Sequence, residues 1–171
     1  KNASALPGSI EPGQLFDRVM VDVPCSGLGA LRRRPEARWR KSPRDIAELL
    51  PLQRQLLDAA IEATRPGGVI AYVTCSPHAA ETQNIVAEVL ESGAVSLLDS
   101  AAALREVALH TEGANGEPVS VLAGEKDPGT QPEVHVKRGA PAVTDAASST
   151  AQLWPHVHGT DAMFLALFRK K

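Results

Sequence analysis

The chain has 171 residues, of which 43% are hydrophobic and 22% charged, and its net charge is −2. That length fits one domain or part of one, and the composition is that of a soluble globular chain able to bury a core. No apolar run approaches the roughly 18–20 residues of a membrane span, no basic-then-apolar leader is read at its start, and two cysteines with five scattered histidines suit neither a disulfide scaffold nor a structural zinc site.

Residues 1–15 are rich in Gly, Pro and Ser and read as a loop. Phe16–Val23 carries three β-branched valines and reads as a buried strand, stopped by Pro24. Cys25–Ala30 follows as a glycine-bearing loop at the strand's carboxyl end. Ser42-Pro43 is a helix start, with Ser as cap and Pro at the first helical position. Pro51 is expected to break or restart that helix. Leu52, Leu56, Leu57, Ala60 and Ile61 keep helical spacing to about Thr64. Arg65-Pro66-Gly67-Gly68 reads as a turn, and Val69–Thr74 as a second buried strand closed by Cys75-Ser76-Pro77.

Residues 79–92 read as an amphipathic helix with Ile85, Val89 and Leu90 inward. Val95–Leu98 reads as a short strand and 100–107 as a short helix. Residues 110–150 lose periodicity and read as a long, partly mobile insertion, with a hairpin around Val119–Leu122 and Val134–Val136. Ala162–Arg169 is an apolar strand. Strands alternating with helices predict an α/β fold with a parallel sheet. Ligands sit at the carboxyl ends of strands in such sheets, so Cys25 and Cys75 are expected to face one cleft.

Residues 32–44 contain six Arg and one Lys against one Glu. Such a concentration of basic charge can meet a polyanion even on an acidic protein. Its plain alternative is a solvated surface turn. Asp22, Cys25 and Cys75 form the chemically active set, because a thiolate is the strongest side-chain nucleophile near neutral pH. Each cysteine could instead be a small buried hydrophobe. Neither lies in a Cys-x-x-Cys pair.

Asp22-Val23-Pro24-Cys25-Ser26-Gly27 and Thr74-Cys75-Ser76 resemble the paired signatures of the RNA cytosine-C5 methyltransferases of the Sun/Fmu type. Arg33-Arg34-Pro35, Arg38-Trp39, Leu52-Gln53, Pro66-Gly67-Gly68 and Glu81 are similar too, as is His158-Gly159-Thr160-Asp161 before Phe164. The resemblance is dense over 16–92 and moderate over 153–170. It implies a Rossmann-like S-adenosylmethionine-dependent methyltransferase fold of which only the later strands, four to seven, are present. It also implies a cytoplasmic enzyme. Cys75 becomes the nucleophile on C6 of a cytosine in RNA, with ribosomal RNA as the implied class. Cys25 helps resolve the adduct, and Asp22 contacts the base edge and the cofactor.

Under that resemblance Arg32, Arg33, Arg34, Arg38, Arg40 and Lys41 become phosphate contacts, with Trp39 a stacking platform. Trp39 packed on the following helix is the equal alternative, and Arg38 could pair with Glu36 or Asp45. His78 could tune the Cys75 thiolate. Glu81 is expected to cap the helix after Cys75, and His156 and His158 to be structural.

This sequence departs from the family in lacking the upstream glycine-rich cofactor loop before residue 16. Asn2 loosely aligns where the family usually has an acid. The expectation is therefore the C-terminal part of a catalytic domain, with the missing N-terminal half of the same protein as a partner and an open edge on the first strand. Competing readings are a non-catalytic RNA-binding assembly module built on Arg32–Arg44, a reversible Cys25–Cys75 redox pair, and DNA as substrate.

Overall fold

The computed structural model describes residues 13–107 and 149–171. The expected insertion at 110–150, with its hairpin, and Asn2 fall almost wholly outside the described residues. Strand β1 is Phe16–Asp22, helix α1 Pro43–Ala63 and strand β2 Thr64–Thr74. Helix α2 (Gln83–Glu91), strand β3 (Val95–Leu97) and helix α3 (Ser100–Val107) follow. Strand β4 (Ala151–Gln152), the one-turn helix α4 (Pro155–His158) and strand β5 (Phe164–Lys170) close the chain.

The sheet runs β1-β2-β5-β3, with β4 also on β5. β1 and β2 are parallel, joined across α1, with Asp22 opposite Val73. The ladder continues one residue further, where Val23 N–H donates to the Val73 carbonyl at 3.1 Å. This is an α/β sheet of the Rossmann-like type, but it is mixed rather than parallel. β5 runs antiparallel to both β2 and β3. No single helix crossover links β2 to β5, so nothing forces that pair to be parallel. β1 lies at the end of the strand order, and its Met20 is 72% exposed.

Ser42 opens α1 by donating both its N–H and its hydroxyl to Asp45 Oδ2, at 2.6 and 2.7 Å. The helix passes through Pro51 without breaking, contrary to the sequence expectation. Pro51 and Ala47, whose carbonyl loses its donor, are both exposed, so water can satisfy that carbonyl. The inner stripe of Leu57, Ala60 and Ile61 stays buried and holds the helix on the sheet.

β2 is longer than Val69–Thr74. Phe16 pairs with Thr64 and Arg18 with Val69, so residues 65–68 form an irregularity inside the strand rather than a turn before it. Gly67 takes φ +78° there, a conformation that favours glycine.

The expected helix over 79–92 divides into a 3₁₀ turn at Ala79–Glu81 and α2, with Thr82 non-helical between them. Ile85, Val86 and Val89 point into the core with Ile70, Tyr72, Phe164 and Phe168. Tyr72 and Phe164 meet edge to face, their ring centres 6.3 Å apart. Among the described residues, no helix is long and apolar enough to cross a membrane.

Candidate active site

Parallel pairing of β1 and β2 brings the two loops that leave their carboxyl ends side by side. Cys25 and Cys75 consequently meet with their Sγ atoms 3.3 Å apart. Both thiols are free and half-buried. The separation is far beyond the roughly 2.05 Å of a disulfide, so the contact is a thiol–thiol hydrogen bond. The pair faces a cleft of 630 Å³ lined by Asp22, Arg33, Arg34 and Lys41 among others. Asp22 is exposed at the end of β1.

Burial pushes the Cys75 thiol up to about 12, with further contributions from the Cys25 hydrogen bond and charge and from Asp22. Cys75 is therefore a neutral thiol at neutral pH in this state.

The loop after β1 is locked to two other segments at Gly29. Its N–H donates to the Cys75 carbonyl, and its carbonyl accepts from Ala162 N–H, both at 2.9 Å. A Cβ at Gly29 would lie 2.0 Å from the Ala162 oxygen and 2.6 Å from the Cys75 oxygen. Only glycine allows this three-way approach.

Glu81 does not act as a helix cap. Its side chain is fully buried and reaches back to both cysteine loops. Oε1 accepts from Ser26 N–H at 2.8 Å and from Gln53 Nε2 at 3.0 Å. Oε2 accepts from the Ser26 and Ser76 hydroxyls, each at 2.6 Å. Gln53 Nε2 also donates to the Pro24 carbonyl at 2.9 Å, tying α1 to the same loop. Burial raises the Glu81 pKa, but the donations from Ser26, Ser76 and Gln53 together outweigh it and leave the carboxyl below its ordinary value. Sequence reasoning missed Ser26, Gln53 and Ser76, although each cysteine is followed directly by one of these serines.

The basic segment divides in two. Arg33 is exposed but committed: its guanidinium grips Asp161, with Nε donating to Oδ2 at 2.8 Å, and Arg32 approaches the other oxygen at 3.7 Å. Hydrogen bonding to Arg33 lowers the Asp161 pKa and that to Asp161 raises the Arg33 pKa. Arg34, Arg38, Arg40 and Lys41 are exposed. Arg38 lies over the Trp39 ring, 5.3 Å from its centre. It makes no ion pair with Glu36 or Asp45, and Asp45 instead accepts from Ser42. Trp39 is 83% exposed, so it is not packed on α1.

His78 Nδ1 accepts from Ala80 N–H at 3.2 Å, which places the imidazole on the 3₁₀ turn as a cap rather than on Cys75. His158 accepts from Trp154 N–H at 2.7 Å, and His156 rests near the Trp154 ring, so both act within α4. Among the described residues no group of three or more His, Cys, Asp or Glu is placed to hold a metal.

A family model described as 16S rRNA methyltransferase RsmB/F matches residues 3–169. A Mycobacterium tuberculosis protein named as a methyltransferase is 48% identical over 161 residues, covering 94% of this chain and 27% of its own length. The ribosomal RNA small subunit methyltransferase B of Salmonella paratyphi B is 49% identical over 63 residues, 37% of this chain and 15% of that protein. The chain thus spans about a quarter of the M. tuberculosis relative and less of the Salmonella one. A solved methyltransferase homologue from Pyrococcus horikoshii superposes with a TM-score of 0.60 at 23% identity, covering 94% of this chain and 41% of its own. NSun6 from the same organism, solved with SFG, gives 0.58 at 23% identity, covering 92% of this chain and 31% of its own. These two establish the shared fold.

Proposed function

Because the chain belongs to the 16S rRNA methyltransferase RsmB/F family, matched over residues 3–169, we propose that it carries the catalytic thiols of an S-adenosylmethionine-dependent enzyme that methylates C5 of a cytosine in ribosomal RNA. The chain is then the C-terminal part of the catalytic domain, completed by the upstream half of a longer, cytoplasmic protein. The observation that carries this reading is the Cys25–Cys75 pair, 3.3 Å apart at the mouth of a cleft that Asp22 also lines.

The cleft would supply part of the site for a cofactor of that class. Its volume of 630 Å³ lies in the range of about 300–1,000 Å³ usual for small-molecule sites. Asp22 offers an exposed carboxylate there that can accept from hydroxyl or ammonium groups. When bound, S-adenosylmethionine supplies an electrophilic methyl group.

A cytosine C5 is a poor nucleophile until a bond at C6 breaks the ring's aromaticity. Cys75 forms that bond as a thiolate, its proton having passed to solvent in the open cleft, and the ring electrons move to C5. Asp22 holds the N3/N4 edge and steadies the activated ring. After methylation, Cys25, acting as a thiolate, takes the C5 proton, the electrons of that C–H bond return to the ring, and Cys75 departs from C6 as a thiolate. A single sulfur can both attack and depart, which suits this cycle. The target base has to leave its stack to reach the pair.

Arg32, Arg34, Arg38, Arg40 and Lys41 are exposed beside the cleft segment and serve as phosphate contacts, with Trp39 as a stacking surface. A non-catalytic RNA-binding role would use the same cluster but gives no reason for two opposed thiols. The full-length protein, incubated with unmethylated ribosomal RNA and labelled S-adenosylmethionine, should place label on C5 of cytosine. Label on another atom, or none with folded protein and bound RNA, would contradict the reading.

A further inference from the structure

Each cysteine of the site is followed by a serine, and both serines converge on one buried carboxylate. Ser26 lies one residue after Cys25 and Ser76 one residue after Cys75. Their hydroxyls meet Glu81 Oε2 at 2.6 Å each and lie 3.3 Å from one another. Ser26 N–H and Gln53 Nε2 complete a set of four donors around the two oxygens. All three polar side chains nearest the carboxylate, Ser26, Ser76 and Gln53, are buried. Glu81 is itself anchored from behind, because Tyr72 Oη donates to its backbone carbonyl at 2.8 Å, and Tyr72 is buried in the core near the carboxyl end of β2.

Sheet pairing ends at Val23 and Thr74, so the ladder no longer fixes the distance between the two chains at the cysteines. Beyond it, the Gly29 N–H bond to the Cys75 carbonyl ties the two backbones at one point, and the serine–glutamate cluster is a second tie, at the residues that follow the cysteines. We infer that Glu81 is a positioning residue whose carboxylate, through Ser26 and Ser76 and alongside the Gly29–Cys75 backbone bond, sets the separation of the Cys25 and Cys75 sulfurs. This inference rests on the methyltransferase reading for its catalytic consequence, but the geometric claim stands without it.

The chemistry favours a carboxylate at this position. Four donors converge on two oxygens, and an ionised acid is the one side chain that accepts at both without offering a donor of its own. An amide in the same shape points an NH₂ group at one side of the cluster. Either the two serine hydroxyls or the Ser26 N–H and Gln53 amide then lose their acceptor. Glu81 does not touch the reacting atoms; it acts through the loops.

The test uses the full-length protein and reads geometry and catalysis separately. Diamide oxidises the Cys25–Cys75 pair, the two thiols losing two electrons and two protons as the N=N bond becomes a hydrazine. The rate, followed as the linked peptide pair, reports how closely the sulfurs are held and needs neither RNA nor cofactor. Glu81→Gln should slow disulfide formation and kcat for methyl transfer together, each by about tenfold or more, with KM for RNA within about twofold.

Ser26→Ala combined with Ser76→Ala removes only two hydroxyls and should do the same. A folded Glu81→Gln or double-serine variant with wild-type rates in both assays would overturn the proposal. So would a double-serine variant that fails to fold, which would make the cluster a stability element. A wild-type protein that transfers no methyl group, while the variants still slow disulfide formation, would remove the methyltransferase reading and leave the positioning role standing.

Discussion

Arg33 and Asp161 are 128 residues apart in sequence, yet Arg33 Nε donates to Asp161 Oδ2 at 2.8 Å. The pair fastens the loop that carries Cys25 to the segment entering β5. The Ala162–Gly29 backbone bond lies beside it, so charge and main chain close the same seam.

Arg33→Ala should lower thermal stability and make the remaining stability less sensitive to salt. The pairing has a definite pH signature. Asp161 is held below its ordinary value when folded, so its contribution is present above the unfolded aspartate range, about 4, and is lost as pH falls through the lowered folded value. Acid unfolding of wild type and Arg33→Ala should therefore converge at low pH and separate above it. Parallel curves across the whole range would contradict the pairing.

Gly29→Ala places a methyl 2.0 Å from the Ala162 oxygen. The backbone on both sides has to move, at a cost of about 1–3 kcal/mol or more, in the range of overpacked sites. The urea midpoint should fall accordingly, while Gly27→Ala tests only the left-handed φ of +71°, with open space around it. Equal stability of Gly29→Ala and wild type would refute the three-way contact.

Burial is the first cause of the raised Cys75 pKa of about 12, and Cys25 supplies the next two. Cys25→Ala should lower that pKa without restoring the ordinary value. Alkylation of Cys75 by iodoacetamide at pH 8 should consequently be slow in wild type and faster in Cys25→Ala. A slower reaction in the variant would show that Cys25 activates Cys75 rather than restraining it.

Trp39 is exposed and contributes its face to no core. Trp39→Ala should leave the melting temperature unchanged and weaken RNA binding by about 1–3 kcal/mol, the range of one base–aromatic stack. Arg34→Ala and Arg40→Ala should each flatten the salt dependence of RNA affinity by about one phosphate contact. An unchanged affinity for all three would move the RNA surface elsewhere.

The meeting of the two cysteines was legible because both follow apolar strands, and neighbouring parallel strands put their exits together. The α/β character of the sheet is legible from the same runs. β5 was seen as a strand, but its direction depends on where a long connection returns, which local periodicity does not encode. Pro51 misled because a proline on an exposed face leaves its freed carbonyl to water. Glu81 reads as a cap from the sequence because charged residues rarely lie fully buried. Ser76 is near in sequence, but the other donors come from Ser26 and Gln53, 55 and 28 residues away, and only the repeated Cys-Ser pairs hint at the two serines. Local reading puts Arg33 among the phosphate contacts, and its partner 128 residues on is invisible to it.

In the proposed cycle Cys75 attacks the base and Cys25 releases it. The full-length protein carrying Cys25→Ala, purified from cells and run on a denaturing gel with reductant, should show a slow band that nuclease removes. That band should vanish when Cys75→Ala is added. Folded, RNA-bound Cys25→Ala protein without such a band, or with a band that survives Cys75→Ala, would contradict the assignment of Cys75 as the nucleophile.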